Sequence, residues 1–247
     1  LSYKGYTMIF KKTILAVVAA LGFASAAHAT DLSGNITVSS DYRYRGVSQT
    51  NVGPEVSGNL DVTDKSGLYA GTFFSNVSSE YYTGGAGYEE DFYVGYKHEV
   101  AKGLTLDVGS YTDTYFHAKN GNVSYTTSEA YLAATYGPVT VKGSHSFTNY
   151  FGIPNTHGTH YVTADVSQPV GPVTLIAHYG HTFTAHHNNY DYNDINFGAS
   201  YNLPKGFTVT GLYYVNTNEG AGMKAYNSVN GHGLYGNNFV VSLKKNF

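Results

Sequence analysis

Residues 32–46 read LSGNITVSSDYRYRG. Leu32, Gly34, Ile36 and Val38 alternate with Asn35, Thr37, Ser39 and Asp41, the period-two pattern of a strand with one apolar face. Carried forward, the same register puts Asp41, Arg43 and Arg45 on the polar face and turns Tyr42 and Tyr44 to the other side. Arg43 and Arg45 are the only two arginines among 247 residues. What the polar face looks onto therefore decides what the chain does.

The alternation recurs. Val56, Gly58, Leu60 and Val62 oppose Glu55, Ser57, Asn59 and Asp61; Phe92, Val94 and Tyr96 oppose Asp91, Tyr93 and Lys97; Leu104, Leu106 and Val108 oppose Thr105, Asp107 and Gly109. Twelve such segments are expected, centred near residues 38, 58, 72, 94, 109, 131, 143, 163, 177, 197, 211 and 242. Their connections alternate in length. DKSG (64–67), AKG (101–103), GP (137–138), QPVG (168–171) and LPKG (203–206) are tight reversals with the glycines and prolines such turns need. Longer polar stretches lie between them, among them GVSQTNVG (46–53), SSEYYTGGAGY (78–88), HAKNGNVSYTT (117–127), YFGIPNTHGT (150–159) and AHHNNYDY (185–192), with a last one over about 217–235.

Short turns on one rim and long loops on the other are the pattern of an outer-membrane barrel. Composition agrees: 25 Tyr and 13 Phe suit aromatic girdles at the lipid–water boundary, and charged residues make up only 13%. A secreted soluble β-sandwich would also alternate, but it does not call for the regular loop alternation or for the closing strand FVVSLKKNF, which ends on Phe247. A terminal aromatic on an alternating strand is expected to serve as the signal read by the barrel-assembly machinery. The expected fold is an all-β, transmembrane antiparallel barrel of about 12 strands. Lipid cannot satisfy open sheet edges, so the sheet must close.

The start of the chain reads as an export address. Lys11 and Lys12, the apolar run ILAVVAALGFA (14–24) and the small-x-small triplet Ala27-His28-Ala29 predict a cleavable signal peptide over 8–29, with 1–7 an extension upstream of the natural start and 30–247 the barrel. The apolar run is shorter than the roughly 20 residues of a spanning helix. Acids outnumber bases, 17 to 14, which argues against nucleic-acid binding. With no Cys, disulfides and thiolate chemistry are excluded.

If apolar faces meet lipid, the alternate faces line a lumen. Register assigns to it Asp41, Arg43, Arg45, Glu55, Asp61, Asp91, Lys97, Asp107, Glu129, Lys142, Asp165 and Lys244. As pore-lining candidates, Asp41, Arg43, Arg45, Glu55, Lys97, Asp107, Glu129 and Lys142 carry the expectation of an ion preference; alternatively they are salt bridges that plug a narrow barrel. Glu55 on the neighbouring strand is the expected carboxylate partner of the arginine pair. Inward Tyr69, Phe73, Tyr93, Tyr111, Tyr115, Tyr131 and Tyr161 read as space fillers rather than a stacking track for sugars. His117, His157, His160, His181, His186, His187 and His232 fall toward the loop rim without metal-ligand spacing, so neither a metal nor a cofactor is expected. For catalysis, SHSF places His145 outward and Ser144 and Ser146 inward, which separates nucleophile from base, and no G-x-S-x-G elbow is present.

Tyr42, Arg43, Arg45, Gly46, Ser48 and Gln49, followed by VGPEVSG (52–58) and GLYAGTFFSNV (67–77), resemble the TorF-type porin family of proteobacteria. The resemblance implies a porin of the bacterial outer membrane and brings no substrate or catalytic residue with it. The expected function is passive diffusion of small hydrophilic solutes, with outer-membrane lipids around the barrel. A plugged barrel whose loops bind an extracellular partner is the second reading, and a lipid-modifying enzyme the third.

Overall fold

The computed structural model describes residues 30–215, 219–230 and 232–247; the expected signal peptide and its upstream extension lie outside them. Twelve strands form the wall: β1 Thr30–Ser39, β2 Glu55–Asp64, β3 Leu68–Asn76, β4 Tyr88–Ala101, β5 Leu104–Tyr115, β6 Thr127–Tyr136, β7 Val139–Ser146, β8 His160–Val170, β9 Val173–Phe183, β10 Tyr192–Leu203, β11 Phe207–Val215 and β12 Asn238–Asn246. Each pairs antiparallel with the next, and β1 also pairs with β12, so the sheet is a closed meander without an edge strand. Each expected segment is present. Closure continues past β12, where the Phe247 backbone both donates to and accepts from Gly34, each at 3.0 Å.

The outer face is apolar around the whole circumference. Leu32, Val94, Val108, Leu132, Val162, Leu175, Phe197, Val209 and Val241 project from the wall, each well exposed, where a soluble protein would place charge. Tyr96, Tyr136 and Tyr201 stand out near the short-turn rim, and Phe147, Phe183 and Phe239 near the loop rim, as interface girdles do. Among the described residues no helix is long and apolar enough to cross a membrane; the strands do the crossing.

Three inward tyrosines pair with wall glycines. Tyr69 lies opposite Gly95, Tyr93 opposite Gly71 and Tyr131 opposite Gly109 on neighbouring strands. Each ring lies on the bare Cα of its glycine, where any Cβ would collide with it. Flat on the wall, these three rings do not plug the centre, whereas Tyr115 and Tyr161 are buried and fill space as the sequence reading has it. Hydroxyls of the flat rings are anchored to carboxylates: Tyr69 donates to Asp107 at 2.7 Å, and Tyr93 donates to Asp61.

At the loop rim the connections fold together over the barrel mouth. Tyr81, Tyr82, Tyr115, Tyr125, Tyr150, Phe151, Ile153, Met223 and Leu234 form a buried core there, drawn from several loops. The last loop contributes a single-turn helix, α1 Ala221–Tyr226, which the strand reading does not foresee; it buries Met223 in this cap.

Candidate functional site

Beyond Ser39 the chain stops being a strand. Glu55, the first residue of β2, pairs with Ser39, so the β1–β2 ladder ends there; Ser40 still bonds Val241 of β12, but the residues that follow have no strand to continue the ladder with. They turn inward instead. Arg43 pairs with Ser48 and Tyr44 with Val47, making a minute hairpin whose two central residues, Arg45 (φ 47°) and Gly46 (φ 78°), are both left-handed. This is the backbone of a two-residue type I′ turn, for which a glycine at the second position is favoured. Gly46 has a second reason to be glycine: a Cβ there would strike Asp194 and the ring of Tyr235. The expectation that Tyr42 and Tyr44 face lipid is thus overturned. Tyr42 packs on Phe73 at 5.7 Å and Tyr44 on Phe151 at 5.6 Å, both inside.

The hairpin is braced at its base by Asp41, which is 2% exposed. Its carboxylate accepts from Arg43 Nε at 2.8 Å, from Ser48 at 2.6 Å, from Thr50 at 3.0 Å and from Asn238 of β12 at 3.2 Å. Arg43 also donates to the carbonyls of Gly46 and Gly236. Gln49 accepts from Tyr82 in the cap and donates to Val47, so the hairpin hangs from the cap as well.

At the tip, Arg45 reaches across to β6 and makes a two-pronged ion pair with Glu129. Tyr111 donates to the same carboxylate, and Arg45 donates to Tyr150. Its guanidinium lies 4.0 Å from the centre of the Tyr161 ring, a stacked cation–π contact. Burial opposes the charge, but Glu129 and the surrounding phenols outweigh it and hold the Arg45 pKa well above its ordinary value. Neither arginine takes Glu55, the partner expected from sequence. Glu55 is buried behind the hairpin, while Arg43 and Arg45 take Asp41 and Glu129.

Two cavities flank the tip. One, about 470 Å³, runs from Thr135 and Thr140 beside the short turns up to Tyr44, and is lined by Lys97, Asp107, Tyr111, Asp113 and Lys142. The other, about 260 Å³, holds Arg43, Arg45, Tyr161, His178 and Asp194. Tyr44, Lys142 and Asp165 border both. Of the eight candidates, Arg43, Arg45, Lys97, Asp107 and Lys142 face these cavities, while Asp41, Glu55 and Glu129 are buried as supports. Lys97 and Asp107 stand directly opposite each other on β4 and β5. The sequence reading misses His178 and Asp194; His178 is held between Asp165 (2.5 Å) and Asp194 (2.6 Å). Both could have been found by the same parity rule, since His178 follows Thr174 and Ile176 on the inward face of β9 and Asp194 lies opposite inward Gly180 on β10. On the lipid side, His145 pairs across strands with His160, their rings 4.8 Å apart, while Ser144 and Ser146 are buried inward, so the expected separation of serine from histidine holds.

A family model described as "Bacterial protein of unknown function (Gcw_chp)" matches residues 23–247. The chain belongs to the Gcw_chp family. No match was found among curated proteins. Among solved structures, this Gcw_chp chain is similar to the KdgM porin in complex with disordered oligogalacturonate, with a TM-score of 0.54 and 8% identity over 89% of this chain and 99% of that one. Outer membrane phospholipase A from Escherichia coli gives a TM-score of 0.44 at 16% identity, covering 86% and 94% of the two chains. OprD from Pseudomonas aeruginosa gives 0.38 at 15% identity, covering 90% and 68%. The likeness to KdgM shows the barrel fold alone; the other two are too distant to add to it. A closed twelve-stranded barrel with an apolar outer face is the build of a bacterial outer-membrane protein, and this Gcw_chp chain is one.

Proposed function

We propose that this barrel is a narrow diffusion channel for small hydrophilic solutes, with the Arg45 hairpin as its constriction. The supporting observation is the 470 Å³ cavity, lined by charged residues and tyrosines, that begins beside the short turns and ends at the hairpin tip. A wall built only to be plugged would bring side chains together there. Tyrosines lie flat on glycines instead, and volume of ligand-pocket size stays open. The likeness to the TorF-type family, carried by Tyr42, Arg43, Arg45, Gly46, Ser48 and Gln49, belongs to the same reading.

Charge along the path sets the expected preference. Both arginines are spent on carboxylates, leaving Lys97 and Lys142 against Asp61, Asp91, Asp107, Asp113 and Asp165. Cations and neutral solutes should therefore pass more readily than anions. In planar bilayers the purified barrel should give small, discrete, cation-selective conductance steps. Changing Arg43 and Arg45 together to Ala should enlarge the steps and push selectivity further toward cations. A folded barrel that conducts nothing, before and after that change, would favour the second reading, a plugged barrel whose packed loop cap recognises an extracellular partner.

A further inference from the structure

Glu89 and Asp91 on β4 and Asp113 on β5 bring carboxylate oxygens together so that one from each residue lies within 4.8 Å of the others. Asp91 and Asp113 face each other directly across the strand pair, and Glu89 sits two residues up the same inward face. All three are at least nine-tenths buried. Part of this group is satisfied, since Tyr115 donates to Glu89 Oε1 at 2.8 Å. The rest is not: among the described residues Glu89 Oε2, Asp91 Oδ1 and Asp113 Oδ2 make no hydrogen bond, although the hydroxyls of Tyr42 and Tyr44 lie near Glu89 and Asp113. Buried carboxylate oxygens without partners are costly, and three from one cluster are costlier still.

Nearby cations do not resolve the excess. Arg45 and Lys142 act on Asp113 from a distance, but Arg45 is committed to Glu129 and Lys142 lies near the rings of Tyr111 and Tyr131. We infer that Glu89, Asp91 and Asp113 form a binding site for a divalent cation of calcium's size. Calcium takes oxygen ligands at about 2.3–2.6 Å, so oxygens across one ion stand up to about 4.6–5.2 Å apart. Oxygens within 4.8 Å of one another fit that span, and three carboxylates on two fixed strands suit calcium's flexible coordination better than the near-ideal octahedron and retained waters that magnesium demands. An entry path exists, because Asp91 and Asp113 also line the 470 Å³ cavity, which can supply the remaining ligands as water. The site touches the cap too: Tyr115 stacks on Tyr82 at 4.0 Å, and Tyr82 donates to Gln49 of the hairpin loop. A bound ion would thus tie the wall to the plug, whether or not the barrel conducts.

The test uses the folded full barrel in detergent, with terbium as a luminescent stand-in for calcium and Tyr115 as the built-in antenna. Saturable, tyrosine-excited terbium emission is expected, displaced by calcium at far lower concentration than by magnesium. Calcium should also raise the midpoint of thermal unfolding by several degrees over the chelated protein. Glu89→Gln, Asp91→Asn and Asp113→Asn each keep the shape and relieve repulsion. Each should fold without calcium, weaken terbium binding at least tenfold and abolish the calcium-dependent rise. Two results would overturn the site: wild-type barrel with neither saturable emission nor a calcium-dependent midpoint, which would mean the carboxyls share protons instead, or emission left unchanged by all three substitutions, which would place the ion on surface carboxylates.

Discussion

The wall and the hairpin at residues 43–48 use the same vocabulary, alternating tyrosines with charged residues, and obey different rules. In the wall, side-chain direction follows from parity because hydrogen bonds on both sides hold each strand flat. In the hairpin no wall strand continues the ladder, and direction is set by a left-handed turn and by buried ion pairs. The comparison teaches that alternation predicts facing only as far as the ladder runs. It also separates two kinds of stability, one from lipid-facing apolar surface and one from electrostatics sealed away from water.

That separation can be broken experimentally. The largest effect is expected from Arg45→Ala, which leaves Glu129 buried without its counter-charge, at a cost of about 3–5 kcal/mol. The loss should fall on the plug: residues 40–54 should become open to protease and hydrogen exchange while the β-sheet circular dichroism signal stays. Glu129→Ala on top of Arg45→Ala should recover part of the loss in a double-mutant cycle. If the whole sheet melted instead, wall and plug would be one cooperative unit.

Next in size are neighbours on opposite faces of β6. Leu132, 58% exposed, faces lipid near the middle of its strand, and Leu132→Arg should cost about 2–4 kcal/mol when the protein refolds into vesicles. Ala133→Ser, one residue on and lining the cavity, should refold like the parent. Smaller again is Asp41→Asn. It keeps the shape but weakens the charged hydrogen bond to Arg43, for which about 1.5–3 kcal/mol is typical, and the damage should again be confined to the hairpin. The smallest change in stability belongs to Lys142→Gln. It should leave unfolding within experimental scatter yet shift the reversal potential further toward cations, since Lys142 borders both cavities.

How much could be read beforehand follows the same division. Twelve segments and the inward positions of Asp61, Asp107, Glu129 and Lys142 were legible because parity is a local property of a paired strand. The end of β1 was not. Tyr42 and Tyr44 look like girdle residues, and only the Arg45-Gly46 pair, a glycine in a two-residue turn, signals that the chain reverses there. The partner of Arg45 lies 84 residues away, and no spacing rule reaches that far. The carboxylate cluster is hidden for a related reason: Asp91 and Asp113 lie 22 residues apart in sequence and meet only through the β4–β5 register.

The tyrosines lying on glycines make pairs of positions on adjacent strands into single units of inheritance. A methyl group at Gly95 would evict the Tyr69 ring and with it the bond to Asp107, so neither residue can drift alone. Among relatives, positions 69 and 95, 71 and 93, and 109 and 131 should change together or stay as they are, leaving a trace of the strand register in sequence variation itself.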